Sequence, residues 1–152
     1  MVIREVDSGR GNAVEEGSSA RLHYKSIDMD KKQLLFIEDE GYVIDRVQEI
    51  LKGFPQFVVT HTAMVDEARK LLEETAFDVV VTDIYVRGVS GLELLHYAKE
   101  KNKETCVIMI TGVDNSDLAA KALKEGAFDF VIKPPALDRL SNILKLVALV
   151  KP

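Results

Sequence analysis

The sequence predicts an α/β fold, a doubly wound (βα)5 arrangement in which a mostly parallel five-stranded sheet is covered by helices on both faces. Two observations carry that reading. From Lys32 onward, short uninterrupted apolar runs of strand length alternate with amphipathic stretches of helical period. Strands buried on both faces read as such continuous runs, whereas a covering helix keeps one polar side. The regular alternation of strand and helix then calls for parallel strands joined by right-handed crossovers, which places helices on both sides of one sheet.

Residues 1–31 stand apart from this pattern, with scattered charges, Gly9, Gly11, Gly17, the pair Ser18-Ser19 and few large apolar side chains. They are expected to form a flexible extension or linker, and 32–152 the folded domain. The first strand is expected at 34–37, followed by a helix whose stripe is Val43, Val47, Ile50 and Leu51. The second strand, 57–60, precedes Met64, Ala68, Leu71 and Leu72, spaced i, i+4, i+7, i+8 as one helical face requires. Strand 79–81 precedes the stripe Leu92, Leu95 and Ala98, and strand 107–110 precedes Leu118, Ala119, Ala122 and Leu123. Strand 130–132 leads to a last helix carrying Leu137, Leu140, Ile143, Leu144 and Val147. All these stripes read as core.

With 152 residues, 47% hydrophobic and 30% charged, the chain has the material for one globular domain with some surplus. A formal net charge of -5 argues against a nucleic-acid surface, which normally presents a basic face. The single cysteine, Cys106, rules out an intrachain disulfide and fits a reducing, cytoplasmic location. The start, Met1-Val2-Ile3-Arg4-Glu5, lacks the basic-then-apolar order of a leader, and no run approaches the roughly 18–20 apolar residues that span a bilayer, so no membrane contact is expected.

In a parallel α/β sheet, ligands bind beyond the carboxyl ends of the strands. Reading off those ends gives Glu38 and Asp39 after the first strand, Asp83 after the third, Thr111 after the fourth and Lys133 after the fifth. One polar residue after a strand means little, because loops are usually solvated; this set on four of five strands is a sharper signal. If the first and third strands are neighbours, three carboxylates converge, and like charges about 4 Å apart repel by roughly 1 kcal/mol in water and about 4 kcal/mol at an effective dielectric of 20. Such a cluster calls for a cation or for protons. Hard oxygens without nearby His or Cys suit Mg2+, which keeps several waters and accepts a phosphoryl oxygen. His23, His61 and His96 lie outside the motif, which disfavours zinc. Lys133 supplies a mobile charge and Thr111 a hydroxyl, the groups needed to hold phosphoryl oxygens. Asp83 is then a credible nucleophile forming an acyl phosphate. The plainer alternative is that Lys133 merely pairs with Asp83.

These residues resemble the receiver domain of two-component response regulators, of which chemotaxis receivers are examples. The matching segments are Leu34-Leu35-Phe36-Ile37-Glu38-Asp39-Glu40, Val79-Val80-Val81-Thr82-Asp83 continuing to Ser90-Gly91-Leu92-Glu93-Leu94-Leu95, Ile108-Met109-Ile110-Thr111-Gly112, and Gly126-Ala127-Phe128-Asp129-Phe130-Val131-Ile132-Lys133-Pro134. The resemblance implies a flavodoxin-like strand order 2-1-3-4-5. It implies that Asp83 accepts phosphate from a phosphohistidine of a sensor histidine kinase or phosphotransfer protein. Mg2+ would be bound by Asp39, Asp83 and the backbone carbonyl of Tyr85, with Glu38 acting directly or through water. Lys133 would contact the phosphoryl group, Thr111 would move to hydrogen-bond it, and Phe130 would follow inward as the second part of the switch. The Lys133-Pro134 bond is expected to be cis. Such a chain is no ordinary enzyme but a signalling phosphoacceptor that promotes its own phosphoryl transfer and dephosphorylation.

The chain also departs from the family. Val86-Arg87 stands where a Met-Pro pair is common, so the loop loses a rigid proline and gains a charge beside the site. Gly112 replaces a common Ala and is expected to leave phosphoryl access open. Tyr85 and Val113 fall at positions that influence phosphoryl lifetime, and Pro135 is expected to delay the last helix. No output domain follows Pro152 in this sequence. The expectation is therefore a single-domain regulator or a receiver from a larger protein, reading out to a downstream effector or homodimer through the last two helices and last strand. The competing reading is a non-phosphorylated binding scaffold on the receiver fold. A flavin carrier would need a Ser/Thr/Gly-rich cradle where Glu38-Asp39-Glu40 stands, and an aspartyl-phosphate hydrolase would need a second acid after Asp83.

Overall fold

A computed structural model describes residues 2–5, 31–112, 116–133 and 137–150. Its strands are β1 (Val2–Glu5), β2 (Lys32–Ile37), β3 (Phe57–Thr62), β4 (Val79–Asp83), β5 (Tyr85–Val86), β6 (Val89–Ser90), β7 (Cys106–Thr111) and β8 (Asp129–Ile132). The helices are α1 (Gly41–Leu51), α2 (Val65–Glu74), α3 (Gly91–Lys101), α4 (Ser116–Lys124) and α5 (Arg139–Val150). The main sheet has the order β1-β3-β2-β4-β7-β8, all pairs parallel. The five predicted strands are therefore present in the order 2-1-3-4-5. Each is longer at one or both ends than its apolar run, because Asp83 and Thr111 still pair before the chain turns away.

Two features go beyond the sequence reading. Val2–Glu5, inside the segment read as an extension, pairs with residues 58–61 on the outer edge of β3, making a sixth strand. Four residues, two of them charged, are too few to show a strand period. The stretch after Asp83, expected as a loop, is a small antiparallel hairpin in which Tyr85 pairs with Ser90 and Val86 with Val89.

The core lies in two layers, and β2 shows why. Leu34 and Phe36 join the layer beneath α1 and α5, whereas Leu35 and Ile37 join the layer beneath α2, α3 and α4. Alternate side chains of a strand point to opposite faces, so a run buried on both sides must be apolar throughout. Each Leu, Ile, Val or Phe buried in this way contributes about 1.5–3 kcal/mol. The predicted stripes supply the covering faces, with two corrections. Leu123 is 40% exposed, since α4 is covered by Ala119 and Ala122 instead. Met64 is the residue preceding α2, whose buried face runs through Val65, Ala68 and Leu72. The expectations for Val113, Pro134, Pro135 and His23 fall outside the described residues. No helix among the described residues is long and apolar enough to cross a membrane.

Candidate functional site

Strand register brings the charged groups together. Ile37 pairs with Thr82 across β2 and β4, so the next residues, Glu38 and Asp83, stand side by side at the carboxyl end of the sheet. Oxygens of Glu38, Asp39 and Asp83 all lie within 4.8 Å of one another. Thr111 pairs with Ile132 across β7 and β8, and the Lys133 N–H donates to the Thr111 carbonyl at 2.9 Å, which fixes where the lysine stem starts. From there Lys133 Nζ reaches Asp83 Oδ2 at 2.8 Å, Glu38 Oε1 at 3.0 Å and Glu40 Oε1 at 3.0 Å.

Burial makes this cluster electrostatically costly. Glu38, Asp83 and Lys133 are buried, while Asp39 and Glu40 face solvent. Burial pushes the Glu38 carboxyl up to about 8, and the neighbouring Asp83 carboxylate adds to the effect. Burial alone would lower the Lys133 ammonium, but its hydrogen bond to Asp83 and its ion pair with Glu38 outweigh that and hold it above its ordinary range. Glu38 Oε1 is buried and, although Lys133 Nζ is close, no donor is aligned on it as a hydrogen bond. Glu38 Oε2 accepts from the Asp39 N–H at 3.0 Å, and Asp83 Oδ1 accepts from the Tyr85 N–H at 3.2 Å. Among the described residues, four carboxylates against one ammonium leave the cluster short of positive charge. Hard oxygens, an orphaned buried carboxylate atom and the absence of His or Cys from this set fit Mg2+.

The remaining predicted residues frame the cluster. Thr111 is buried at the end of β7, and its hydroxyl donates to the Gly112 carbonyl at 3.1 Å rather than to a carboxylate. Phe130 is half-buried on β8 and packs against the layer beneath α2, α3 and α4. Tyr85 is 43% exposed at the start of the hairpin. The hairpin turns at Arg87 and Gly88 with φ of 50° and 79°. Two successive positive φ values make a two-residue turn that matches strand twist, and Gly88 suits it where Arg87 does not.

Three residues escaped the sequence reading. Glu40 is one, because only the fold brings it to Lys133. Gly91 is another: its N–H donates to the Ile84 carbonyl at 2.6 Å, and a Cβ there would stand 2.5 Å from the Asp83 carbonyl oxygen. A side chain at this position would push on the backbone that carries Asp83. His61, placed outside the motif by its position in the sequence, is buried with Nε2 3.1 Å from the Glu38 carbonyl oxygen and its ring centroid 5.2 Å from that of Phe36. A carbonyl only accepts, so Nε2 carries the proton and His61 steadies the backbone leading into the cluster.

Fold and site together define a doubly wound α/β domain with a carboxylate–lysine centre at the carboxyl edge of its sheet. Known proteins are similar to this chain in sequence and in fold. The response regulator receiver domain profile matches residues 34–145. The response regulator protein PilR of Pseudomonas aeruginosa is 36% identical over 76% of this chain and 26% of its own length. The chemotaxis protein CheY of Listeria monocytogenes is 30% identical over 76% of this chain and 98% of its own length. A response regulator receiver domain protein from Clostridium thermocellum superposes with a TM-score of 0.71 at 28% identity, covering 79% of this chain and 96% of that one. The chain belongs to the response regulator receiver domain family of two-component signalling, whose members are signalling domains that bind Mg2+ in an acidic pocket. It spans about a quarter of PilR and 46% of the transcriptional regulatory protein CitT of Halalkalibacterium halodurans.

Proposed function

We propose that Asp83 is the phosphoacceptor of a signalling switch, taking a phosphoryl group from a phosphohistidine of a sensor histidine kinase or phosphotransfer protein. The observation that carries this is the Asp83 carboxylate itself, held by Lys133 at 2.8 Å inside a carboxylate cluster that fits a hard cation. One Asp83 oxygen attacks phosphorus, the bond from phosphorus to the histidine nitrogen breaks, and the imidazole leaves with that electron pair. Lys133 balances charge on the phosphoryl oxygens, and the Tyr85 N–H orients Asp83. Glu38, Asp39, Asp83 and the Tyr85 carbonyl would hold Mg2+, which supplies charge neutralisation and alignment of the phosphoryl group. The same groups promote later hydrolysis, with Tyr85 partly shielding the acyl phosphate.

Thr111 then exchanges its bond to Gly112 for one to the phosphoryl group, and Phe130 turns inward behind it. The readout surface is α4, β8 and α5, where Leu123, Phe128, Leu146 and Leu149 are exposed for an effector or a second copy. The domain occupies 32–152, with 1–31 an extension or linker of which Val2–Glu5 adds an edge strand to the sheet. The single cysteine and the acidic balance accord with a cytoplasmic protein without nucleic-acid contacts.

Intact mass after incubation with acetyl phosphate and Mg2+ tests this reading. One added phosphoryl group is expected on wild type and none on Asp83→Asn or in EDTA. Folded, Mg2+-treated wild type that gains no mass would instead establish a non-phosphorylated scaffold.

A further inference from the structure

Glu40 sits at the residue that opens α1, with φ −84° and ψ 120°, yet its side chain makes no capping bond to the helix. That position favours Ser, Thr, Asp or Asn, whose short side chains reach the free N–H groups of the first turn. Glu40 reaches instead across 93 positions of sequence to Lys133. A lysine ammonium has three protons to donate; Lys133 donates to Asp83 Oδ2 at 2.8 Å and to Glu40 Oε1 at 3.0 Å, while Glu38 Oε1 stands 3.0 Å away as an ion pair without an aligned hydrogen bond. The three carboxylates are not equivalent. The side chains of Glu38 and Asp83 are 0% and 7% exposed and fixed by adjacent strand ends, whereas Glu40 is 47% exposed on the loop between β2 and α1.

We propose that Glu40 is a latch on Lys133, a displaceable carboxylate that occupies the ammonium until a phosphoryl oxygen takes its place. The inference rests on the phosphoacceptor reading of Asp83. When Asp83 attacks acetyl phosphate, the P–O bond to the acetyl group breaks and acetate leaves with its electron pair. Lys133 must then aim an N–H at a phosphoryl oxygen, and the Glu40 bond is the one that yields. Glu40 is thus a positioning residue acting through Lys133, and its loss speeds phosphorylation.

Two variants of the full chain separate this from simple charge repulsion. Glu40→Gln removes the charge; Glu40→Asp keeps it but is one methylene too short to reach Lys133, while remaining a good helix cap. With Mg2+ and acetyl phosphate, both are expected to gain the phosphoryl mass at least threefold faster than wild type. In a Lys133→Gln background neither substitution is expected to change the rate. Without metal or phosphodonor, acetylation of Lys133 by an N-hydroxysuccinimide ester, read by peptide mass, is expected to rise at least twofold in both variants. Glu40→Asp behaving as wild type, acceleration persisting without Lys133, or unchanged Lys133 labelling each overturns the latch. Wild type that takes no phosphoryl group defeats the phosphoacceptor reading, and the labelling still decides the contact.

Discussion

Along β2, Leu34, Leu35, Phe36 and Ile37 are fully buried among apolar neighbours, and the next residue, Glu38, is as fully buried among charges. One strand thus passes in a single step from a region that stabilises the fold to one that opposes it. Burial of Leu35 removes apolar surface from water at no electrostatic cost. Burial of Glu38 strips solvent from a carboxylate already beside Asp83. The core stabilises the sheet, and the sheet holds the acidic edge in an arrangement that the edge alone would not keep. Unfavourable arrangements of this kind persist only where the surrounding structure over-determines them.

That contrast is most directly broken from the core side. Leu35→Ala, in the layer beneath α2, α3 and α4, is expected to lower stability by about 3 kcal/mol, the cost of a buried leucine cavity. Urea unfolding reads it as a lower midpoint at unchanged slope. A loss under 1 kcal/mol would mean that this layer is loosely packed.

A smaller and opposite effect is expected at the edge. The folded Glu38 carboxyl titrates near 8 and the unfolded one at its ordinary 4.5. Between those values the native state holds a proton that the unfolded chain has lost, so stability falls as pH rises across this window. Lys133, raised above 10.5, stays charged throughout and adds no slope there. Metal-free protein is therefore expected to be more stable at pH 5 than at pH 8, on the order of 2 kcal/mol. Thermal unfolding at several pH values checks this. Glu38→Gln, or millimolar Mg2+ on the wild type, is expected to flatten the profile, and a profile that Glu38→Gln leaves unchanged would place the slope elsewhere.

The smallest effect concerns the hairpin beside the site. Arg87 occupies a left-handed conformation at φ 50°, which costs a side chain with an ordinary Cβ roughly 1 kcal/mol and Asn less. Arg87→Asn is expected to raise stability by about 0.5–1 kcal/mol, read as a rise in Tm. No gain would show that the guanidinium makes up for its backbone.

The five strands and their covering faces were legible because each obeys a local period, and the carboxyl-edge rule then picked out Glu38, Asp39, Asp83 and Lys133 before any contact was known. The hairpin was not legible: Val86-Arg87-Gly88-Val89 carries a turn glycine, but Arg at the preceding position hides a turn that normally begins with Asn or Gly. Nor was β1, too short for periodicity. Glu40 was visible as one more acid in an acidic run, with nothing to distinguish it from a solvated loop residue.

The sequence by itself determined which segments are strands, which faces are apolar and which strand ends carry acids and a lysine, because each of these is a matter of composition and period along a few neighbouring residues. Only the tertiary structure decided that Glu38, Glu40 and Asp83 share one ammonium and that a glycine at 91 sits against the Asp83 carbonyl. Those contacts join residues 8 to 95 positions apart, and their energies depend on distances and burial that exist only once the strands lie in register.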